Sequence, residues 1–273
     1  YLLEDIKTAN AIHFQIKHMA HMPMIFLDRP QISPHVSALI ICFGMGTTHR
    51  SMLTWNVKST AVELIPSVKA VFPYFHEDAH AVLEDPNGKV VIDDGRRFLN
   101  RTTEKFDIIT IDPPPPVEAA GSSLLYSEDF YNVIKTHLKD GGIFQQWVPV
   151  SEEKIKQAIA RSVVNSFPYV RAFAGIDGWG VHFIASLRPV ATPSINEIEA
   201  KMPQAAKNDL LEWSENKDFK AMITKLLSNE IPVQQLLNSN MHILIDDNKP
   251  YNEYYFLRRH RATLALMLNK LIK

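Results

Sequence analysis

An aspartate, Asp112, follows the strand-like run Phe106-Asp107-Ile108-Ile109-Thr110-Ile111 and is succeeded at once by four prolines, 113 to 116. Proline fixes φ, biases the residue before it toward extended backbone and donates no N–H, so the acid is held in one direction at the end of its strand. A carboxylate held this way is presented at the rim of its sheet. A second group is Phe43-Gly44-Met45-Gly46-Thr47-Thr48, between an apolar run and an amphipathic one. Its glycines let the backbone pass close to a ligand, and the start of a helix offers free N–H groups. About 20 residues further on, Glu63 ends Thr60-Ala61-Val62-Glu63, the place where an acid accepts hydrogen bonds from a ribose diol. A third run ends in Asp93-Asp94-Gly95. Any one of these acids reads equally well as a cap for the next helix. Four successive strand ends that deliver a glycine turn, an acid, an acid pair and an acid to one rim read as a ligand site, because ligands of open α/β sheets bind outside the carboxyl ends.

What must position these groups is an alternation of short apolar runs with amphipathic segments, the pattern of a parallel sheet wrapped by helices. Strands are predicted at Leu39–Phe43, Ser59–Glu63, Val90–Asp93, Asp107–Ile111 and Gly142–Trp147, with helices at Thr47–Trp55, Ser67–Phe75, Arg96–Arg101 and Ser127–Leu138. Ser127 is an N-cap, and Gly141-Gly142 lie past that last helix. A helix at Ser151–Ser166 and strands at Tyr169–Ala174 and Val181–Leu187 complete this part. Ahead of it, Ala11–Ile16 and Met24–Leu27 predict a small β-hairpin or two edge strands. After Pro189 and Pro193 the pattern turns helical, at Ile195–Met202, Ala206–Trp213, Phe219–Leu227 and Val233–Leu237. The expected organisation is an N-terminal β element over 1–33, a Rossmann-like α/β domain over 34–189 and a helical extension over 190–273.

Composition narrows the function. In 273 residues, 29 lysines and arginines face 30 aspartates and glutamates, so no global field points to nucleic acid or an anionic membrane, and a charged ligand must be recognised locally. Cys42 is the only cysteine; it sits in an apolar run and reads as a core thiol, with no disulfide or thiolate zinc site open to the chain. No run reaches the roughly 20 apolar residues of a membrane helix. His13, His18 and His21 cluster without a set of cysteines or carboxylates to complete a metal site, so no metal is expected. His49 reads as a base near the ligand or as an exposed first-turn residue. Trp147 and Trp179 read as pocket walls or as core. Asp246, Asp247 and Glu253, in IDDNKPYNEYY, read as an acidic loop near the rim or as caps.

From about Ala11 to Leu187 the chain resembles the spermidine synthase-like aminopropyltransferases, through TAVELIPSV, VVIDDGRRFL, FDIITIDPPPPVEAAGSSLLYSEDFY and LKDGGIFQQW. DPPPPVEAAGS with the later IDDNKP is most similar to bacterial members, some of which carry this module beside transmembrane helices. The resemblance implies the fold of class I S-adenosylmethionine-dependent methyltransferases and aminopropyl transfer from decarboxylated S-adenosylmethionine to a small-molecule amine. It also implies a homodimer and a cytoplasmic location, with a membrane-embedded segment in a longer parent as an alternative. Residue by residue it implies that Gly44 and Gly46 line the donor's tail and that Glu63 binds the ribose. Asp94 with Gly95, and Asp93 beside them, would meet the adenine. Asp112 would be the catalytic base, with Tyr126 in the gate that follows, and Gln31 would face the acceptor. Asp177 reads as a carboxylate restored to the acceptor from a different loop or, more simply, as a turn aspartate before Gly178. Three positions depart from the family pattern. Met45 stands where an aspartate binds the donor's amine, Pro115 where the loop has its second acid, and AGIDGWGVHF where an acceptor-binding tyrosine is found. These departures keep two alternatives open: a methyltransferase using intact S-adenosylmethionine, and a non-catalytic nucleoside-binding sensor.

Overall fold

The computed structural model describes residues 15–29, 35–113, 116–214, 216–237, 242–254 and 260, without the side chain of Asp177. Eight strands form one sheet in the order β3-β2-β1-β4-β5-β7-β6-β8. β1 (Ser37–Ile41), β2 (Lys58–Glu63), β3 (Gly88–Ile92), β4 (Phe106–Ile111) and β5 (Leu138–Val148) run parallel. β7 (Val181–Ser186) enters antiparallel between β5 and β6 (Tyr169–Ala174), and the short β8 (Glu230–Ile231) forms the edge. The direction of winding reverses between β1 and β4, so a crevice opens beyond their carboxyl ends.

Both faces of the sheet are covered, as near-continuous apolar strands require. One face carries Ile40, Ile108, Ile143 and Ile184 against the helix over 15–26 (α1), α2 (Thr47–Leu53), α4 (Ala79–Glu84), α8 (Ile195–Lys201), α9 (Gln204–Leu211) and α10 (Phe219–Ser228). The alternate residues Leu39, Ile41, Ile109, Ile111 and Phe144 face α5 (Gly95–Arg101), α6 (Glu128–His137) and α7 (Glu153–Ser166). α3 (Pro66–Val71) buries no side chain. The helices after residue 190 thus share a core with the sheet. Pro73, in a 3-10 turn at Phe72–Tyr74, cuts short the helix expected to reach Phe75.

The expected N-terminal β element is corrected over its described part. Residues 15–26 are a helix under the sheet, and residues 11–14 lie outside the described residues. α1 is buried along its whole length, so it has no solvated face and shows no 3.6-residue contrast in the sequence. Its polar side chains are bonded inside the protein. Lys17 Nζ donates to the Asp209 carbonyl at 2.7 Å and carboxylate at 3.0 Å, and pairs with Glu212. Trp55 Nε1 donates to His21 Nδ1 at 2.9 Å, leaving His21 Nε2 to meet Asp209 at 2.8 Å. Arg50 of α2 joins the same cluster through Asp209, Glu212 and Asp78. At the C-terminus of α1, Lys201 caps the carbonyls of Ile25 and Leu27 at 2.7 and 2.9 Å.

Candidate active site

β1 leads into a turn in which Cys42, Gly44 and Gly46 all have positive φ, at 71°, 53° and 73°. Glycine adopts this backbone freely, whereas a residue with a Cβ pays about 1–3 kcal/mol, so Cys42 stores strain at the rim. A Cβ on Gly46 would run into the rings of Phe72 and Phe43, while one on Gly44 would meet nothing within 4 Å. Gly46 therefore packs the turn onto the protein, and Gly44 opens it to a ligand. Glu63, at the end of β2, holds the turn from the other side. Its Oε2 accepts from the N–H groups of Phe43 (3.0 Å) and Gly44 (3.3 Å), and its Oε1 accepts from Ile65 N (2.9 Å). A carboxylate offers about four acceptor sites, so one is left for a ligand hydroxyl.

Asp94 caps α5 by accepting from Arg97 N at 2.7 Å. The helix starts this close to β1 because residue 95 is glycine; a Cβ there would strike Ile41. Asp93 is turned to Arg97 and Arg101. The acid pair is therefore divided, with Asp94 near Cys42 and Asp93 in ion pairs.

Asp112 is half-buried, and Thr48 Oγ1 donates to its Oδ2 at 2.9 Å. Burial first, and then the charge of Glu63, push its pKa up to about 7, against the opposing Thr48 hydrogen bond. Tyr126 is fully buried, and its hydroxyl has no partner among the described residues. Burial, with Cys42, Glu118 and Asp112 nearby, holds this phenol well above its ordinary range, so it stays protonated and can donate to a ligand. A buried donor without a partner costs about 1–3 kcal/mol, and a bound polar group would remove that cost.

Ile111 pairs with Gln146, so the next residues, Asp112 and Trp147, lie on the same face of the sheet. Trp147 clusters there with Ile16 and Met19 of α1, and Met45 of the turn packs on them. This wall is held from behind by a buried chain of hydrogen bonds. The Thr110 hydroxyl donates to Gln145, whose amide meets His182 Nδ1 at 3.2 Å; His182 Nε2 meets Gln15 at 3.1 Å, and Gln15 donates to Ile176 O at 3.0 Å. Burial lowers the His182 pKa to about 3, so the chain is uncharged. The segment 242–254 straps down residues 117–123, which follow the prolines. Glu253 accepts from Ser123 N at 3.1 Å, Asn252 donates to Val117 O at 2.6 Å, and Tyr254 N donates to Glu118 O at 3.1 Å. Asp247 accepts from Ser127 at 2.8 Å and pairs with Arg96. Two acids of the loop, Glu253 and Asp247, are thus engaged in holding Ser123 and the start of α6.

Of the residues singled out in the sequence, Gly44, Gly46, Glu63, Asp94, Asp112 and Tyr126 come together, with Gly95 in support. Gln31 and Pro115 lie outside the described residues. Asp177 is in the turn Ile176–Gly178, and its side chain is not described. His49 is neither at the ligand nor exposed: it is buried against Ser59, and burial lowers its pKa to about 4. Sequence reading missed Thr48, whose only signal was its place just past the turn, and the wall from α1. It also set Cys42 in the core, whereas the residue is half-buried at the exit of β1.

A parallel sheet in this order, with an antiparallel strand between β5 and β6 and a glycine turn facing an acid at the switch point, defines the class I S-adenosylmethionine-dependent methyltransferase-like fold. The chain belongs to the spermine/spermidine synthase domain family, whose model matches residues 13–176. It is 27% identical over 202 residues to a polyamine aminopropyltransferase of Sulfurisphaera tokodaii, covering 70% of this chain and 65% of that one. With the polyamine aminopropyltransferase of Aeropyrum pernix it shares 30% over 169 residues, 60% of this chain and 51% of the other. The chain thus spans less than two thirds of the length of these relatives. The fold also matches the spermidine synthase of Thermotoga maritima (TM-score 0.55, 21% identity, 72% and 74% of the two chains). It matches human methyltransferase-like protein 13 in complex with SAH as well (TM-score 0.53, 17%, 73% and 89%). Among the described residues, no helix is long and apolar enough to cross a membrane.

Proposed function

We propose that this chain transfers an aminopropyl group from decarboxylated S-adenosylmethionine to a small-molecule amine. Asp112 supports the reading above all: a strand-end carboxylate with a pKa near 7, facing a turn and an acid suited to a nucleoside. In this reading Gly44 and Glu63 hold the nucleoside and Tyr126 donates a hydrogen bond into the site. Asp112 binds the acceptor as an ammonium and takes one proton from it. The freed amine attacks the methylene carbon beside the sulfonium, the C–S bond breaks, and its electron pair neutralises sulfur to give methylthioadenosine. A base of pKa about 7 accepts that proton more readily than an ordinary carboxylate, and the negative rim favours both cationic partners. Family resemblance adds a homodimer and a cytoplasmic location to this reading.

One observation favours a second reading. Met45 packs in an apolar cluster, so the glycine turn offers no side-chain charge to the donor's amine. Methyl transfer from intact S-adenosylmethionine is therefore the alternative. Calorimetry with both donors separates the two: tighter binding of the decarboxylated form is expected, and the reverse preference moves the reading to methyl transfer. Incubation with a panel of amines should release methylthioadenosine in step with alkylated amine. Binding of a nucleoside with no release from either donor would leave a sensor.

A further inference from the structure

The opening residues of α2 share one turn of helix but face different tasks. Thr47 meets His76 Nε2 at 3.1 Å, His49 meets Ser59 at 2.8 Å, and Arg50 runs to Asp78 and Asp209. Thr48, fully buried, turns into the site. Its hydroxyl lies 2.9 Å from Asp112 Oδ2 and 3.3 Å from the Ile16 carbonyl of α1. One proton cannot serve both acceptors fully, and the shorter contact is to the carboxylate. We propose that Thr48 is the positioning residue for Asp112: it commits Oδ2, leaves Oδ1 to meet the amine, and ties the base to the glycine turn and to α1.

The proposal rests on the reading of Asp112 as the base. The carboxylate torsion of aspartate is broad, so proline stiffening of the backbone alone does not fix which oxygen faces the crevice. The ionisable groups around the carboxylate are Glu63 from β2, Cys42 from the turn after β1 and Tyr126 from the segment after the prolines, and none of them is a cation. A hydroxyl that donates to the charged form is therefore the local influence that favours ionisation. Thr48 also connects the two sides of the crevice, because it lies two residues past Gly46 and touches α1. Displacement of the turn moves the base with it.

The test uses Thr48→Val, which keeps the side-chain shape and removes the donor, and Thr48→Ser, which restores it; Thr48→Ala replaces valine if near-ultraviolet dichroism shows a disturbed fold. Carboxyl NMR of 13C-labelled aspartate follows Asp112 without any reaction. Asp112 of Thr48→Val is expected to titrate at higher pH than wild type, and that of Thr48→Ser near wild type. Nucleoside binding should stay within about twofold, and turnover should fall about tenfold or more and recover in the serine variant. An Asp112 titration identical in Thr48→Val and wild type overturns the proposal whatever turnover does. Failure of the base reading is seen separately, as full turnover in Asp112→Asn.

Discussion

The two sides of the crevice are made in different ways. On the side proposed for the nucleoside, Cys42 to Gly46, Glu63, Asp94 and Gly95 lie at the ends of β1, β2 and β3, and Glu63 bonds to the turn only 19 and 20 residues back. On the other side, Trp147 packs under a helix that precedes the sheet, and α1 is fixed by Gln15 to Ile176 and by Lys17 to Asp209, across 161 and 192 residues. The proposed nucleoside site is built from one stretch of chain, while the wall over Trp147 needs most of the fold. Damage to the wall should therefore leave nucleoside binding in place, and damage to the turn should not.

The largest effect expected is on chemistry alone. Asp112→Asn should lower turnover about a thousandfold and change nucleoside binding little, as read by product release and calorimetry; comparable losses in both would erase the distinction between the sides. Wild-type kcat/KM should rise with pH through about 7 as Asp112 ionises. Stability should run the other way. An acid whose pKa is about 7 when folded and 3.8 when free favours the protonated form, so its contribution is complete below 3.8 and is lost as pH rises through about 7. Asp112→Asn should consequently melt higher than wild type at pH 8.

Next is Lys17→Met, which leaves the buried Asp209 with Arg50 and His21 and should cost about 3 kcal/mol in urea unfolding. In the proposed reaction its effect should fall on KM for the amine rather than on nucleoside affinity. Glu63→Gln tests the other side: it removes a charge that accepts three backbone N–H groups and should weaken nucleoside binding by about 2 kcal/mol. The smallest effect is Cys42→Gly, which relieves a left-handed backbone and should stabilise by about 1 kcal/mol. A loss of stability would show that the Cys42 side chain is worth more to the turn than its strain costs.

The same division governs how much could be read from the sequence. β1 to β7 were legible as strands, β1 to β5 as a parallel set with acids at the ends of β2, β3 and β4, because apolar runs alternate with amphipathic segments and the acids follow the runs directly. Asp112 stands at the end of β4 with its side chain bonded to Thr48, whereas Asp94 caps α5 while standing near Cys42. α1 was not legible: buried on every side, with its lysine and histidines paired inside, it lacks the polar face by which a helix declares itself. Thr48 was hidden for another reason. Its neighbours Thr47 and His49 are as polar, and only the rotation of the helix decides which of them meets Asp112.

The pairing of Lys17 with Asp209 also sets an order of assembly. As this stretch of chain leaves the ribosome, α1 emerges early, carrying Met19, Met24, Ile25 and Phe26 around a lysine whose partners are made only after residue 208. β1 to β4, with the glycine turn and its acids, are all synthesised in the interval. α1 thus waits for partners made much later in the chain, and its docking is the step that closes the wall over Trp147.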